Sequence, residues 1–214
     1  MQAIDKIMSM NILQLRRSFK EQMHQAREQA IIIAASRLMG EKGFEAMTVD
    51  EVASAAGIAK ASLYKHFAGK EELCAAAMVH AVERANQFLS GLDAALAPYE
   101  RLKALLRWML ELQFTDEMPL MLSRNSGLAA ALLACEPYQE ALGRLRACVQ
   151  GWVEEAQQAG EISRELPSDV VVCALFARAS DPLLTMLRDR ASYSDPQIVD
   201  WAMQTCLAGL AARP

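Results

Sequence analysis

The sequence predicts an all-α protein built from a small N-terminal helical domain and a larger helical one. The 214 residues include only 7 Pro and 10 Gly, and Ala, Leu, Met, Glu and Gln, all good helix formers, are abundant. Apolar residues recur at the i, i+3, i+4, i+7 spacing that lines one face of a helix. No segment shows the Gly-bounded alternation of a strand.

Residues 1–21 carry few core signals and are expected to form a flexible leader rather than an arm that brings Arg16, Arg17 and Lys20 to DNA. A helix over 22–42 follows, with Ile31, Ile32, Ala34, Ala35, Leu38 and Met39 as a broad apolar stripe. Gly40 and Gly43 end it, and Phe44 is placed to plug a small core shared with Val52 and Phe67. The central stretch is TVDEVASAAGIAKASLYKHF, residues 48–67. Thr48 with Glu51 three residues later forms a capping box, which starts a helix there. Val49, Val52, Ala53 and Ala56 give that helix one buried face. Gly57, free to take positive φ, turns the chain. A second helix over 60–67 returns Leu63 and Phe67 to the core, so Lys60, Ala61, Ser62, Tyr64 and Lys65 face solvent. Two short helices about a Gly turn, the second carrying outward donors, have the geometry that places a helix in the DNA major groove.

The segment GIAKASLYKHFAGKEEL, residues 57–73, resembles the G-[VI]-S-x-G-x-[LI]-Y-x-[HY]-F-x-x-K-E-x-L pattern of the TetR-type bacterial transcriptional regulators. REQAIIIAASRLMGEKGFEAMTVDEVA, residues 27–53, is similar to that family's first helix, Gly-Phe turn and second helix. The resemblance covers roughly the first third of the chain after the leader. It implies that Tyr64, His66 and Lys70 meet phosphates, that Lys60 and Ser62 lie nearest base edges, and that Thr48 caps near the DNA backbone. With Ala61 and Lys65 these form the expected contact set for double-stranded DNA with a pseudo-palindromic operator. Two positions depart from the pattern. Ala59 lacks a capping hydroxyl, and Ala61 offers a methyl that can pack on a thymine methyl.

A lever helix over 70–89 is predicted to join the two parts, its N-terminus favoured by Glu71 and Glu72. The division is therefore a leader at 1–21, a DNA-binding domain at 22–86 and an effector-binding and dimerisation domain at 87–214. Helices are expected over 99–115, 137–159, 168–190 with a kink at Pro182, and 196–211, around an irregular Leu- and Ala-rich segment at 119–135. The last helix presents Ile198, Trp201, Ala202, Thr205, Ala208 and Gly209 on one side and further apolar residues on the other. By resemblance the final two helices form a four-helix interface in a homodimer. The family also implies a small-molecule effector. Trp108, Phe114, Met118, Met121, Trp152 and Phe176 are either its cavity walls or plain core.

Charge divides along the chain: residues 1–72 hold 10 Lys+Arg against 9 Asp+Glu, whereas residues 73–214 hold 12 against 17. A DNA-facing surface must then be a local patch with few phosphate contacts. Cys74, Cys135, Cys148, Cys173 and Cys206 are scattered without a C-x-x-C pair, as in a reduced, cytoplasmic protein. No apolar run approaches the ~18 residues of a membrane span. His24, His66 and His80 lack metal-ligand spacing, no cofactor is implied, and no nucleophile, phosphate-loop or H-E-x-x-H motif indicates an enzyme. The expectation is a DNA-binding regulator, foremost a repressor released by a small apolar ligand. The alternatives are an activator, a ligand-independent DNA binder, or a protein that recruits a partner through its C-terminal helices.

Overall fold

The computed structural model describes residues 2–115, 127–178, 182–190 and 192–211, with side chains from residue 20 onward except at 182, 183 and 185. Among these residues the chain is helical throughout: α1 (Gln2–Ala46), α2 (Val49–Ala55), α3 (Lys60–Leu63), α4 (Lys70–Gly91), α5 (Pro98–Leu112), α6 (Leu128–Ala134), α7 (Glu136–Gln158), α8 (Ser168–Ala177), α9 (Pro182–Arg188) and α10 (Asp195–Leu210). The one extended pairing they show is an isolated bridge, Ile162 to Ala211.

Residues 2–21, expected as a flexible leader, continue α1 as helical backbone. Gly43 breaks that helix at φ 78°, a left-handed conformation that a Cβ disfavours, and turns Phe44 into the core. Residues 64–67, expected in this helix, lie beyond α3 rather than in it, because the chain tightens there. Lys65 N–H donates to the Ser62 carbonyl and His66 N–H to the Leu63 carbonyl, bonds spanning three residues rather than four. Of the helix expected over 168–190, the described residues form α8, ending at Ala177, and α9, over Pro182–Arg188.

Two hydrophobic cores form. The N-terminal one gathers Ile31, Leu38, Met39, Phe44, Val52, Leu63, Phe67 and Leu73. The other joins α5, α7, α8 and α10 through Leu105, Leu106, Val149, Val153, Val171 and Ile198. The division falls within α4, whose Met78 belongs to the first and Val82 to the second, so this helix is common to both bodies. The 86/87 boundary expected from sequence does not divide the cores cleanly for another reason: Leu128 and Leu132 of α6 sit in the N-terminal core.

The last helix departs from the expected dimer face. Ile198 and Ala202 are buried within the subunit's own core, while Trp201 is 42% exposed and Thr205, Ala208 and Gly209 face solvent. The expected face mixed two registers: positions 198, 202 and 206 lie on the inward stripe, and 201, 205 and 208 on the opposite one. A capping box of Ser194 and Gln197 starts this helix, and the Arg107 guanidinium donates to Asp200 at 2.7 Å to tie α5 to α10.

Because Leu128 is fully buried in the core beneath the helix-turn-helix, Leu128→Ala is expected to destabilise the protein by about 2–5 kcal/mol. Urea unfolding followed by far-ultraviolet dichroism measures the loss.

Candidate nucleic-acid interface

The exposed surface at α3 is set by what lies beneath it. Thr48 and Glu51 make the capping box: the Thr48 Oγ1 accepts from the Glu51 N–H, and Glu51 Oε2 accepts from the Thr48 N–H at 2.9 Å. Lys42 donates to Glu51 Oε1 at 2.8 Å. Its hydrogen bond comes first, followed by those from Thr48, in holding the Glu51 carboxyl down from 4.5 to about 2. α2 is thereby fixed at its start, and Gly57 at φ 67° turns the chain toward α3. Ala59 at the N-cap makes no side-chain cap, as its lost hydroxyl predicts.

With Leu63 and Phe67 buried, Lys60, Ala61, Tyr64 and Lys65 are exposed, as is Thr48, and Ser62 is half-buried. The Tyr64 ring is 48% exposed. Lys60 is not free, since its Nζ donates to Asp50 Oδ2 at 2.9 Å, and Asp50 holds the ammonium pKa above its ordinary value. Lys70 is also engaged. Its Nζ donates to the Glu45 carbonyl at 3.2 Å and stands 4.4 Å over the centre of the Phe44 ring. The ammonium so caps the end of α1 while remaining half-buried.

His66 does not join the exposed row. Its side chain is only 4% exposed, and the ring stacks on His24 of α1 with centroids 4.1 Å apart. Glu28 Oε2 lies 3.6 Å from His66 Nδ1. The residue falls where the tightened turn after α3 rotates it toward the N-terminal half of α1. Spacing had suggested no metal-ligand set, yet His24, Glu28 and His66 come together in space. The i, i+4 relation of His24 and Glu28 was visible in the sequence, whereas the approach of His66 depends on tertiary folding. Asp50 was missed as well; its place in the first turn of α2, near the start of α3, was the available signal.

The expected effector residues are largely packed. Trp108 stacks on Phe88 at 4.7 Å, Trp152 is buried beneath the Arg101 guanidinium, and Phe114 carries Arg188 over its ring. Phe176 packs half-buried on the same core. Met118 and Met121 lie outside the described residues. A cleft of about 630 Å³ lies instead between α4 and α7, lined by Glu83, Asn86, Ser90, Arg144 and Cys148. Another, of about 480 Å³, lies where α1 and α4 meet Thr115, with Ile33, His80 and Arg84 on its walls. No described helix is long and apolar enough to cross a membrane.

A capped short helix, a glycine turn and a second short helix with outward donors define a helix-turn-helix protein. Residues 31–77 match the family model described as "Bacterial regulatory proteins, tetR family", so this segment is similar to the DNA-binding part of the TetR-type regulators. It is 33% identical over 86 residues to the HTH-type transcriptional regulator BetI of Rhizobium meliloti, covering 40% of this chain and 42% of that protein. The chain thus aligns with less than half the length of such curated relatives. In overall fold it is similar to the fatty acid degradation regulator FadR from Bacillus halodurans, with a TM-score of 0.65 and 21% identity over 87% of this chain and 97% of that one. It is also similar to FadR from Bacillus subtilis, solved in complex with stearoyl-CoA, with a TM-score of 0.61 and 19% identity over 85% and 98% of the two chains. At those identities the likeness establishes a shared architecture: an N-terminal helix-turn-helix and a helical C-terminal domain.

The depressed Glu51 carboxyl makes stability depend on acid. The capping and Lys42 interactions act in full above about pH 4.5, the ordinary value, and are lost as pH falls toward about 2. Glu51→Gln is expected to flatten that part of the stability profile, and urea midpoints measured across the acid range test it.

Proposed function

We propose that the chain is a DNA-binding transcriptional regulator that acts as a homodimer on a pseudo-palindromic operator and represses transcription by occupying a promoter. The observation that carries the reading is the row Lys60, Tyr64 and Lys65, held outward along α3 and the turn that follows it by the buried Leu63 and Phe67, within the segment that matches the family model. In this reading Tyr64 and Lys65 meet phosphates, and Lys60 and Ser62 meet base edges. Lys60 leaves Asp50 when it takes a guanine, an exchange of one acceptor for another. Two such units about one duplex turn apart, ~34–36 Å, read the two half-sites.

Dimerisation is supported by apolar surface left uncovered on the last three helices. Val170 of α8, Met186 of α9 and Trp201 of α10 are all exposed, and Tyr193 meets the Trp201 ring edge-on at 5.0 Å. A side chain as large as Trp gains most from a partner when its apolar body is covered.

Release by a small apolar effector is supported by the architecture shared with the regulator solved with stearoyl-CoA and by the place of α4 in both cores. An effector that prefers one tilt of α4 lowers DNA affinity by linkage. The protein works in the cytoplasm, where its DNA is.

Tyr64→Ala is expected to weaken operator and non-operator DNA alike, whereas Lys60→Ala loses discrimination between them by ~1–3 kcal/mol. Fluorescence-anisotropy titrations on both DNAs distinguish the two, and a wild-type chain that binds no fragment of its own genome would end the reading. Trp201→Glu is expected to shift the chain from dimer to monomer in sedimentation, with a concomitant loss of operator affinity.

A further inference from the structure

The group at the junction of α1 and the turn after α3 has a chemistry that DNA contact leaves unused. The ligating atoms of His24, Glu28 and His66 lie within 4.8 Å of one another. His24 Nε2 is 3.7 Å from Glu28 Oε2, and His66 Nδ1 is 3.6 Å from the same oxygen. The His66 Nδ1 is buried and has no hydrogen-bond partner, in a side chain 96% withdrawn from solvent. A buried ring nitrogen left without a partner is unfavourable. Here it stands 3.6 Å from a half-exposed carboxylate, in a ring that carries a second imidazole on its face.

We infer that His24, Glu28 and His66 form a binding site for a divalent late first-row metal ion of the Zn²⁺, Co²⁺ and Ni²⁺ class. Ligands held at about 2.0–2.1 Å around a tetrahedral ion stand about 3.4 Å apart. The two observed separations to Glu28 exceed that by a few tenths of an ångström. Closing the third edge requires the His24 ring, now stacked at 18° on His66, to turn so that both lone pairs converge. His24 is exposed on the helix surface, so the turn meets solvent on one side and exchanges the ring stack for a shared ion on the other. Two imidazoles and one carboxylate suit these borderline ions, whereas Ca²⁺ and Mg²⁺ prefer oxygen alone. Three protein ligands leave a further position for water. The ion satisfies the orphaned nitrogen of His66 and joins the end of the recognition element to α1.

The test uses the full chain, stripped of metal, kept reduced and titrated with Co²⁺. One ion per subunit is expected, with the weak visible ligand-field bands of nitrogen and oxygen coordination and displacement by Zn²⁺. His24→Ala, at an exposed position, is expected to keep the helical dichroism and to bind at least about tenfold more weakly, as is Glu28→Gln. Zn²⁺ should raise the melting temperature of the wild type and not of His24→Ala. Equal Co²⁺ affinity in wild type and His24→Ala overturns the site. So does no uptake, or an intense sulfur-to-cobalt band that puts the ion on Cys135, Cys148 or Cys173, the thiols that solvent reaches. None of these readouts involves DNA, so the site stands or falls apart from the regulatory reading.

Discussion

The burial of Leu63 and Phe67 against Phe44 and Val52 governs the molecule. α3 holds four residues in α-helical geometry, far fewer than the ~12–15 that an isolated helix needs to persist in water. Its existence is a tertiary effect. The two apolar side chains pin one edge of the helix, so the opposite edge presents Lys60, Tyr64 and Lys65 in a fixed order. Every property of the outward row depends on this inward pair, and on the Gly57 turn that lets the pair reach the core.

Electrostatics refine what that row can do. Lys60 in the row and Lys70 beyond it are both engaged within the subunit, Lys60 by the Asp50 carboxylate and Lys70 by the Glu45 carbonyl and the Phe44 ring. Such exposed contacts are individually weak and easily exchanged for phosphate or base. The partnering orients the ammonium groups without committing them. It also moderates the local field in a chain whose N-terminal 72 residues carry a charge excess of only one cation, so non-specific attraction to DNA is limited and geometry has more weight.

What the sequence made legible was local. The Thr48–Glu51 box, the Gly57 turn and the missing cap at Ala59 depend on residues three or four apart and stand in the structure as read. The bounds of α5, α7 and α10 were found within a few residues for the same reason. The readings that changed needed information from distant segments. Nothing near His66 says that the turn tightens and swings its ring onto His24. The α10 stripe was misassigned because both of its faces are apolar, and only the positions of α5 and α9 show which is already covered. The insertion of α6 into the N-terminal core had no local signal at all, since Leu128 and Leu132 belong by sequence to the other domain.

Glu45 sits where two supports meet. Its carbonyl receives Lys70 from the start of α4, and its carboxylate receives the Gly127 N–H from the start of α6 at 3.2 Å. Beside it, the Phe44 ring approaches Gly127 so closely that an added methyl would stand 3.3 Å from it. The helix-turn-helix head is thus braced by two struts rather than hung on one. A head held that way cannot swing about α4 alone: either α6 travels with it as a rigid block, or the Glu45 contact parts. Any message passing between the two bodies therefore takes the form of a latch that is closed or open, not of a continuous bend.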